Sequence, residues 1–251
     1  GMSIFVSDKP VLVTGASSGI GRAIALALNR LGVPVIANGR DEEKLASLKA
    51  DAPNPAMLHC ESLDLAANME SLTGWVREMV KKFGQLSGLV CSAGITMNSP
   101  LAFYPLKRVN QIFDICCHVP LILSGIFCNK KINSGPGSAI VHIAAAAAID
   151  PNPGQGIYAA AKGALVAGAK CLAREAASGG IRVNCISPGL VETPMMEATC
   201  RQLGPDFLER EQKLYPLGTG KPEDVADLAI FLLSPASRWI TGQNILISGG
   251  R

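Results

Sequence analysis

Tyr158 and Lys162 stand four positions apart, and on a helix that spacing puts both side chains on one face. A free tyrosine ionises near pH ~10, too high for easy proton exchange at neutral pH. A lysine ammonium beside it favours the phenolate and lowers that value, which makes Tyr158 a candidate acid and base. The second feature is Thr14-Gly15-Ala16-Ser17-Ser18-Gly19-Ile20-Gly21. It follows a short apolar run and precedes a helical pattern. There Gly15 can take a tight turn, Gly19 lets the backbone approach a ligand, and Gly21 allows close packing. The exposed N–H groups of such a turn, at the positive end of a helix, favour an anion of the pyrophosphate kind.

The elements that must position these groups alternate along the chain. Strands are expected at Pro10–Thr14, Val33–Ala37, Met57–Cys60, Leu86–Ser92, Ala139–Ala144, Ile181–Ile186 and Asn244–Ile247. Helices are expected through Ala23–Leu28, Asp41–Lys49, Met69–Phe83, Lys107–Lys131 (irregular near Pro120), Tyr158–Ala177 and Glu223–Leu233, with a loop and polar stretch from about Pro194. Strand and helix taking turns is the mark of βαβ units. A right-handed crossover at each unit predicts an α/β, Rossmann-like doubly wound parallel sheet with helices on both faces. Residues 1–251 read as one domain, with a substrate loop at about 190–215.

Composition narrows the function classes. The net charge is +3, charged residues make up 17% and aromatics 5%, with no basic stripe or stacking platform, so no nucleic-acid partner is expected. The eight cysteines contain no CxxC pair, and His59, His118 and His142 stand apart, so no metal site is expected. The cysteines read as small buried hydrophobes in a reducing compartment. No segment reaches the length of a membrane span by this reading, no signal region opens the chain, and Gly1 before Met2 reads as a remnant of expression. A soluble, cytoplasmic protein without a membrane partner is the expectation.

The glycine pattern TGxxxGIG, with motifs spread over nearly the whole chain, resembles the short-chain dehydrogenase/reductase family. The matching residues are Asp64-Leu65, Ser92-Ala93-Gly94, the YxxxK pair Tyr158 and Lys162, Arg182-Val183-Asn184, Ser187-Pro188-Gly189, Thr193-Pro194, Thr241-Gly242-Gln243 and Gly249-Gly250. The resemblance implies an NAD(P)-dependent oxidoreductase moving a hydride between a nicotinamide cofactor and a small carbonyl or alcohol substrate. It implies Tyr158 and Lys162 as catalytic residues, Lys162 also holding the nicotinamide ribose. It further implies a cofactor site formed by Gly15, Ser17, Ser18, Gly19, Ile20, Gly21, Arg40, Asp64, Leu65, Ser92, Ala93, Gly94, Pro188, Gly189, Val191 and Thr193, with Asp64-Leu65 at the adenine. Gly39 stands where NAD-preferring relatives place an acid. The next residue, Arg40, offers a planar donor fork to a 2′-phosphate, which favours NADP, with NAD second. Arg40 alternatively pairs with Asp41 or Glu43.

The chain departs from the family at two reacting positions. The serine that polarises the substrate carbonyl normally lies 13 residues before the tyrosine, where this chain has Ala145 within Ala144–Ala148. The asparagine that holds a proton-relay water falls in a stretch matched by Phe113-Asp114-Ile115-Cys116-Cys117, at Cys116, with Asn110 six residues upstream. Asn152 and Gln155, just before Tyr158, are candidate replacements for the serine. A depleted oxyanion site follows, and with it the alternative of a nucleotide-binding protein with little catalysis. Small residues after Tyr158 (Ala164, Ala167, Gly168, Ala169), with the family's habit of assembly, imply a homotetramer, with a dimer second.

Overall fold

The computed structural model describes residues 6–204 and 206–251; the chain's opening Gly1-Met2 lies outside them. The strands are β1 (Val11–Thr14), β2 (Val35–Gly39), β3 (Leu58–Ser62), β4 (Gly88–Cys91), β5 (Ala139–Ile143), β6 (Arg182–Pro188) and β7 (Asn244–Ile247). All pair in parallel, in the order β3-β2-β1-β4-β5-β6-β7. The helices are α1 (Gly19–Arg30), α2 (Glu42–Asp51), α3 (Leu72–Phe83), α4 (Leu106–Phe113), α5 (Val119–Phe127), α6 (Gly156–Ala176), α7 (Pro194–Leu203), α8 (Asp206–Gln212) and α9 (Pro222–Leu233). This is the doubly wound single domain expected.

Alternation along the strands sorts the core into two layers. Val11, Val13, Val35, Val90 and Val141 face α1, α2 and α9; Leu12, Ile36, Leu89, Ile140 and Val183 face α3, α5 and α6. β1 has β2 on one side and β4 on the other, so the chain winds outward in both directions from this pair. The crevice beyond the carboxyl ends of β1 and β4 is where ligands bind in such sheets.

Four expectations are corrected. The long helix runs from Leu106 to Phe127 rather than Lys107 to Lys131, and it widens into a π turn at Asp114–His118, ahead of Pro120. Pro120 has no N–H for the carbonyl of Cys116 four residues back, and the wider turn accommodates the gap. Leu106–Phe127 has 22 residues and an 18-residue stretch of mean hydropathy 1.4, so one segment is long and apolar enough to cross a membrane where none was expected. Its apolarity serves packing against α3 and α6. The polar stretch after Thr193 is helical, as α7 and α8, and Thr193 starts it: its Oγ1 accepts from the Met196 N–H at 3.2 Å. The small-residue stripe of α6 splits in two. A Cβ on Gly168 would come within 2.9 Å of Leu121, so Gly168 admits α5, while Ala164 and Ala167 remain exposed.

Candidate functional site

Every residue expected at the cofactor and the reacting centre, except Gly21 and Cys116, lines one cavity of about 770 Å³. That volume suits a cofactor-sized ligand. Gly21 acts one layer back: a Cβ there would sit 2.2 Å from the Gly15 carbonyl oxygen, so its bare backbone lets the turn fold onto α1. Gly15 and Gly19 have φ of +63° and +55°, which side chains rarely adopt, and a Cβ on Gly15 would lie 2.6 Å from the Ala93 nitrogen. The buried Thr14 hydroxyl locks the two loops together, accepting from the N–H groups of Ser92 (3.2 Å) and Ala93 (3.3 Å). Ser18 is in extended conformation at the start of α1, and the first turn of that helix carries no acid. The turn therefore offers an anion an open N-terminus with its positive dipole end.

At the end of β2, a Cβ on Gly39 would lie 2.9 Å from Ser17 Cβ, so an acid at this position has no room unless Ser17 moves. The mostly exposed Arg40 pairs with Asp64 at 3.7 Å, rather than with Asp41 or Glu43; Asp41 instead caps α2, accepting from the Lys44 N–H at 3.0 Å. Asp64 Oδ1 accepts from the Ala67 N–H at 3.1 Å, and Leu65 is buried in the core, so this pair forms a fixed wall of the cavity.

Tyr158 and Lys162 rise from the first two turns of α6. Lys162 is buried, its Nζ donating to the Ile143 carbonyl at 2.8 Å and sitting 5.9 Å from the centre of the Tyr158 ring. Burial pushes the Tyr158 phenol above its ordinary value, and the neighbouring Cys116 adds to the rise. The lowering expected from Lys162 is not delivered by this geometry, because the ammonium is engaged at the Ile143 carbonyl and lies over the ring. The phenol stays protonated at neutral pH.

The π turn carries Cys116 inward, where its Sγ donates to the Ile95 carbonyl at 3.4 Å. A Cβ on Gly94 would meet both Cys116 Sγ (3.6 Å) and Lys162 Nζ (3.7 Å), so bare backbone at this position keeps the approach to Lys162 open. Ala145, extended and two residues past the end of β5, joins Ala144, Ala146 and Ala147 in a wall without side-chain donors. Behind it, His142 is fully buried on β5. Ser124 Oγ donates to the Pro120 carbonyl (2.7 Å), so it must accept from His142 Nε2 (3.0 Å), which leaves His142 Nδ1 as an unpartnered acceptor. Burial, then Lys162, push this histidine down to about 3. Among the described residues there is no cluster of three metal-ligating side chains.

The sequence reading missed the far wall. Arg251 NH1 donates to Glu211 Oε2 at 2.8 Å and to the Tyr215 hydroxyl at 3.1 Å, and its NH2 donates to Asn152 Oδ1 at 2.7 Å. All four residues line the cavity, brought together from three distant segments, and no local pattern announces them. Arg108, Gln111 and Asp114 also line it from α4 and the π turn; their i, i+3, i+6 spacing is a polar helical face that was legible.

A family model described as enoyl-(acyl carrier protein) reductase matches residues 15–251. The chain is 35% identical over 248 residues to a 3-oxoacyl-(acyl-carrier-protein) reductase FabG of Rickettsia bellii, covering 98% of each chain. It is 34% identical over 247 residues to the protein of that name from Thermotoga maritima, again covering 98% of each. A solved structure described as short-chain dehydrogenase/reductase SDR, glucose/ribitol dehydrogenase, from Brucella melitensis superposes with a TM-score of 0.89 at 30% identity, covering 99% of this chain and 98% of the other.

Proposed function

The chain belongs to the short-chain dehydrogenase/reductase family of oxidoreductases, and from that premise we propose that it reduces a small carbonyl substrate with NADPH. The observation that carries the proposal is the placing of Tyr158 and Lys162 in the cavity that also holds the glycine turn and Arg40. Glycines whose Cβ atoms would fill that cavity's walls or block its turns support a dinucleotide as the ligand. Gly15, Ser17, Ser18, Gly19 and Ile20 would hold the pyrophosphate and adjoining ribose, with Gly21 shaping the turn, and Asp64 and Leu65 would flank the adenine. Ser92, Ala93, Gly94, Pro188, Gly189, Val191 and Thr193 would line the nicotinamide half. The room denied to an acid at Gly39, and the guanidinium beside it, favour NADP over NAD.

When bound, the reduced cofactor supplies the hydride that goes to the carbonyl carbon. Tyr158 gives its phenolic proton to the oxygen, which leaves as an alcohol. Its raised pKa keeps the proton in place at neutral pH but makes the phenol a weaker acid, so the charge developing on the carbonyl oxygen must draw the proton off. Lys162 has ammonium hydrogens beyond the one given to Ile143, free to hold the ribose and to stabilise the phenolate left after transfer. The segment at 190–215, with Met195, Met196 and Phe207 in the cavity lining, would cover an apolar acyl group. The relatives' names make a 3-oxoacyl thioester the first substrate to try.

Ala145 and Cys116 favour a second reading, a nucleotide-binding protein with little turnover. Eight unpaired cysteines support a reducing, cytoplasmic setting, and exposed Leu101, Phe103 and Leu106 support self-assembly, as a homotetramer first and a dimer second. Titration with NADPH and NADH by nicotinamide fluorescence, followed by turnover with a 3-oxobutanoyl thioester, tests the proposal. Selective NADPH binding with turnover is expected. Binding without turnover would favour the second reading, and failure to bind either nucleotide would overturn both.

A further inference from the structure

Ala145, with Ala144, Ala146 and Ala147, gives the cavity that holds Tyr158 a stretch of wall without a side-chain donor, yet a carbonyl that becomes an alcohol develops negative charge on its oxygen. The loop just before α6 holds two side-chain amides, and their orientations are settled by chemistry. Arginine has donors only, so the Asn152 atom 2.7 Å from Arg251 NH2 must be its carbonyl oxygen. A backbone N–H is likewise a donor, so the Gln155 atom 2.8 Å from the Asn152 nitrogen must be Oε1. Among the described residues, no protein acceptor takes the Asn152 NH2 group, and this residue lines the cavity with Ala145 and Tyr158.

We propose that Asn152 supplies the hydrogen bond to the substrate carbonyl oxygen that Ala145 cannot, and that Arg251 is the positioning residue that turns its amide for the task. The assignment rests on the reductase reading above. Arg251 does two things for it. Its charge polarises the amide through the carbonyl oxygen, which strengthens the N–H as a donor. Its bonds to Glu211 and the Tyr215 hydroxyl fix it against the 190–215 segment, so the wall around Asn152 is braced from both sides. Gln155 holds the Asn152 backbone from the start of α6, three residues before Tyr158. Donor and acid are thus mounted on one short, cross-braced stretch. Glu211 balances the charge of Arg251 within the corner, which fits a polar, uncharged group better than a carboxylate, while the guanidinium still polarises the amide that it touches.

Asn152→Asp separates the roles, because the carboxylate keeps the bond to Arg251 and loses the donor. With NADPH and a 3-oxobutanoyl thioester, kcat is expected to fall about 100-fold, as for loss of one oxyanion donor. NADPH affinity and melting temperature should stay near those of the wild type. Since a carboxylate could also repel the developing charge, Asn152→Ala is measured beside it, and Ala145→Ser is added to each. A hydroxyl at 145 should raise kcat far more in either Asn152 variant than in the wild type, because the two donors substitute for one another. Arg251→Ala should lower kcat with little change in NADPH affinity, and Arg251→Lys should recover part of the loss. Unchanged kcat in Asn152→Ala, or the same Ala145→Ser factor in every background, would overturn the assignment. A wild type that binds NADPH but reduces nothing would instead sink the reductase reading, and this assignment with it.

Discussion

The glycine end of the cavity and the tyrosine end are built by different means. At the first, the backbone forms the surface: Gly15 and Gly19 adopt positive φ, Gly21 and Gly39 have no room for a side chain, and the N-terminus of α1 faces the ligand space. At the second, side chains must supply the chemistry, and Ala145 and Cys116 stand where the sequence resemblance leads one to expect a serine and an asparagine. A backbone surface is protected by the fold, since replacing Gly21 drives an atom into the Gly15 carbonyl and disturbs the first βα unit itself. An alanine at 145 costs the fold nothing comparable, because it packs quietly in the wall after β5. Binding is therefore the harder property for this scaffold to lose, and catalysis the easier.

The largest expected effect breaks the two ends apart cleanly. Tyr158→Phe should lower kcat by about two to four orders of magnitude, the usual weight of a positioned acid, with NADPH affinity nearly unchanged. If turnover survives, the acid is elsewhere and the tyrosine end is misread. The wild-type pH profile sharpens the same point. Burial raises the Tyr158 pKa, so the proton needed for reduction is present at neutral pH and is lost only on the alkaline side. Reduction rates at saturating NADPH should be level through pH 6–8 on this account. A fall through neutral pH would mean that the phenol ionises early and that Lys162, not burial, governs it.

Arg40→Ala probes the other end. Charge-assisted bonds to a 2′-phosphate are worth about 1.5–3 kcal/mol, so the NADPH dissociation constant should rise about 10- to 100-fold. The exposure of Arg40 points to the lower part of that range. Loss of the arginine also leaves Asp64 unpaired beside the phosphate. NADH affinity and kcat at saturating NADPH should not move. Equal losses for both nucleotides would show that Arg40 shapes the site generally rather than reading the phosphate.

The same division explains what could be read from the chain. The glycine turn, the strand ends and the Tyr158–Lys162 pair are local patterns, each contained in a few consecutive residues, and the cavity gathers them as expected. β1, β2, β4, β5 and β6 were legible as short runs buried on both faces and bounded by turns, while the half-exposed edge strands β3 and β7 were legible from their place in the alternation of strand and helix. The π turn was not, since it arises from a missing N–H at Pro120 acting one turn back, and only an irregularity nearby was legible. In α7 a polar, half-exposed composition masked an amphipathic period that was there to read, and α8, at seven residues, is too short to show one. Arg251 with Asn152, Glu211 and Tyr215 was invisible for a different reason: partners 99, 40 and 36 positions apart leave no spacing to recognise.

Ala145→Ser gives the smallest effect and tells most about the tyrosine end. A hydroxyl restored to a bare oxyanion site would return about 10²–10³ in kcat. Asn152, with its NH2 free and its carbonyl held by Arg251, argues against a bare site, so the gain in the wild type should be only several-fold. Three results are then distinct in one kcat measurement. A several-fold gain means that a second donor joins a working one. A gain of 100-fold or more means that the alanine wall left the oxygen unsupported and Asn152 does not reach it. No gain at all, with NADPH still bound, means that the cavity no longer places a carbonyl against Tyr158, and the glycine end has outlived the chemistry it once served.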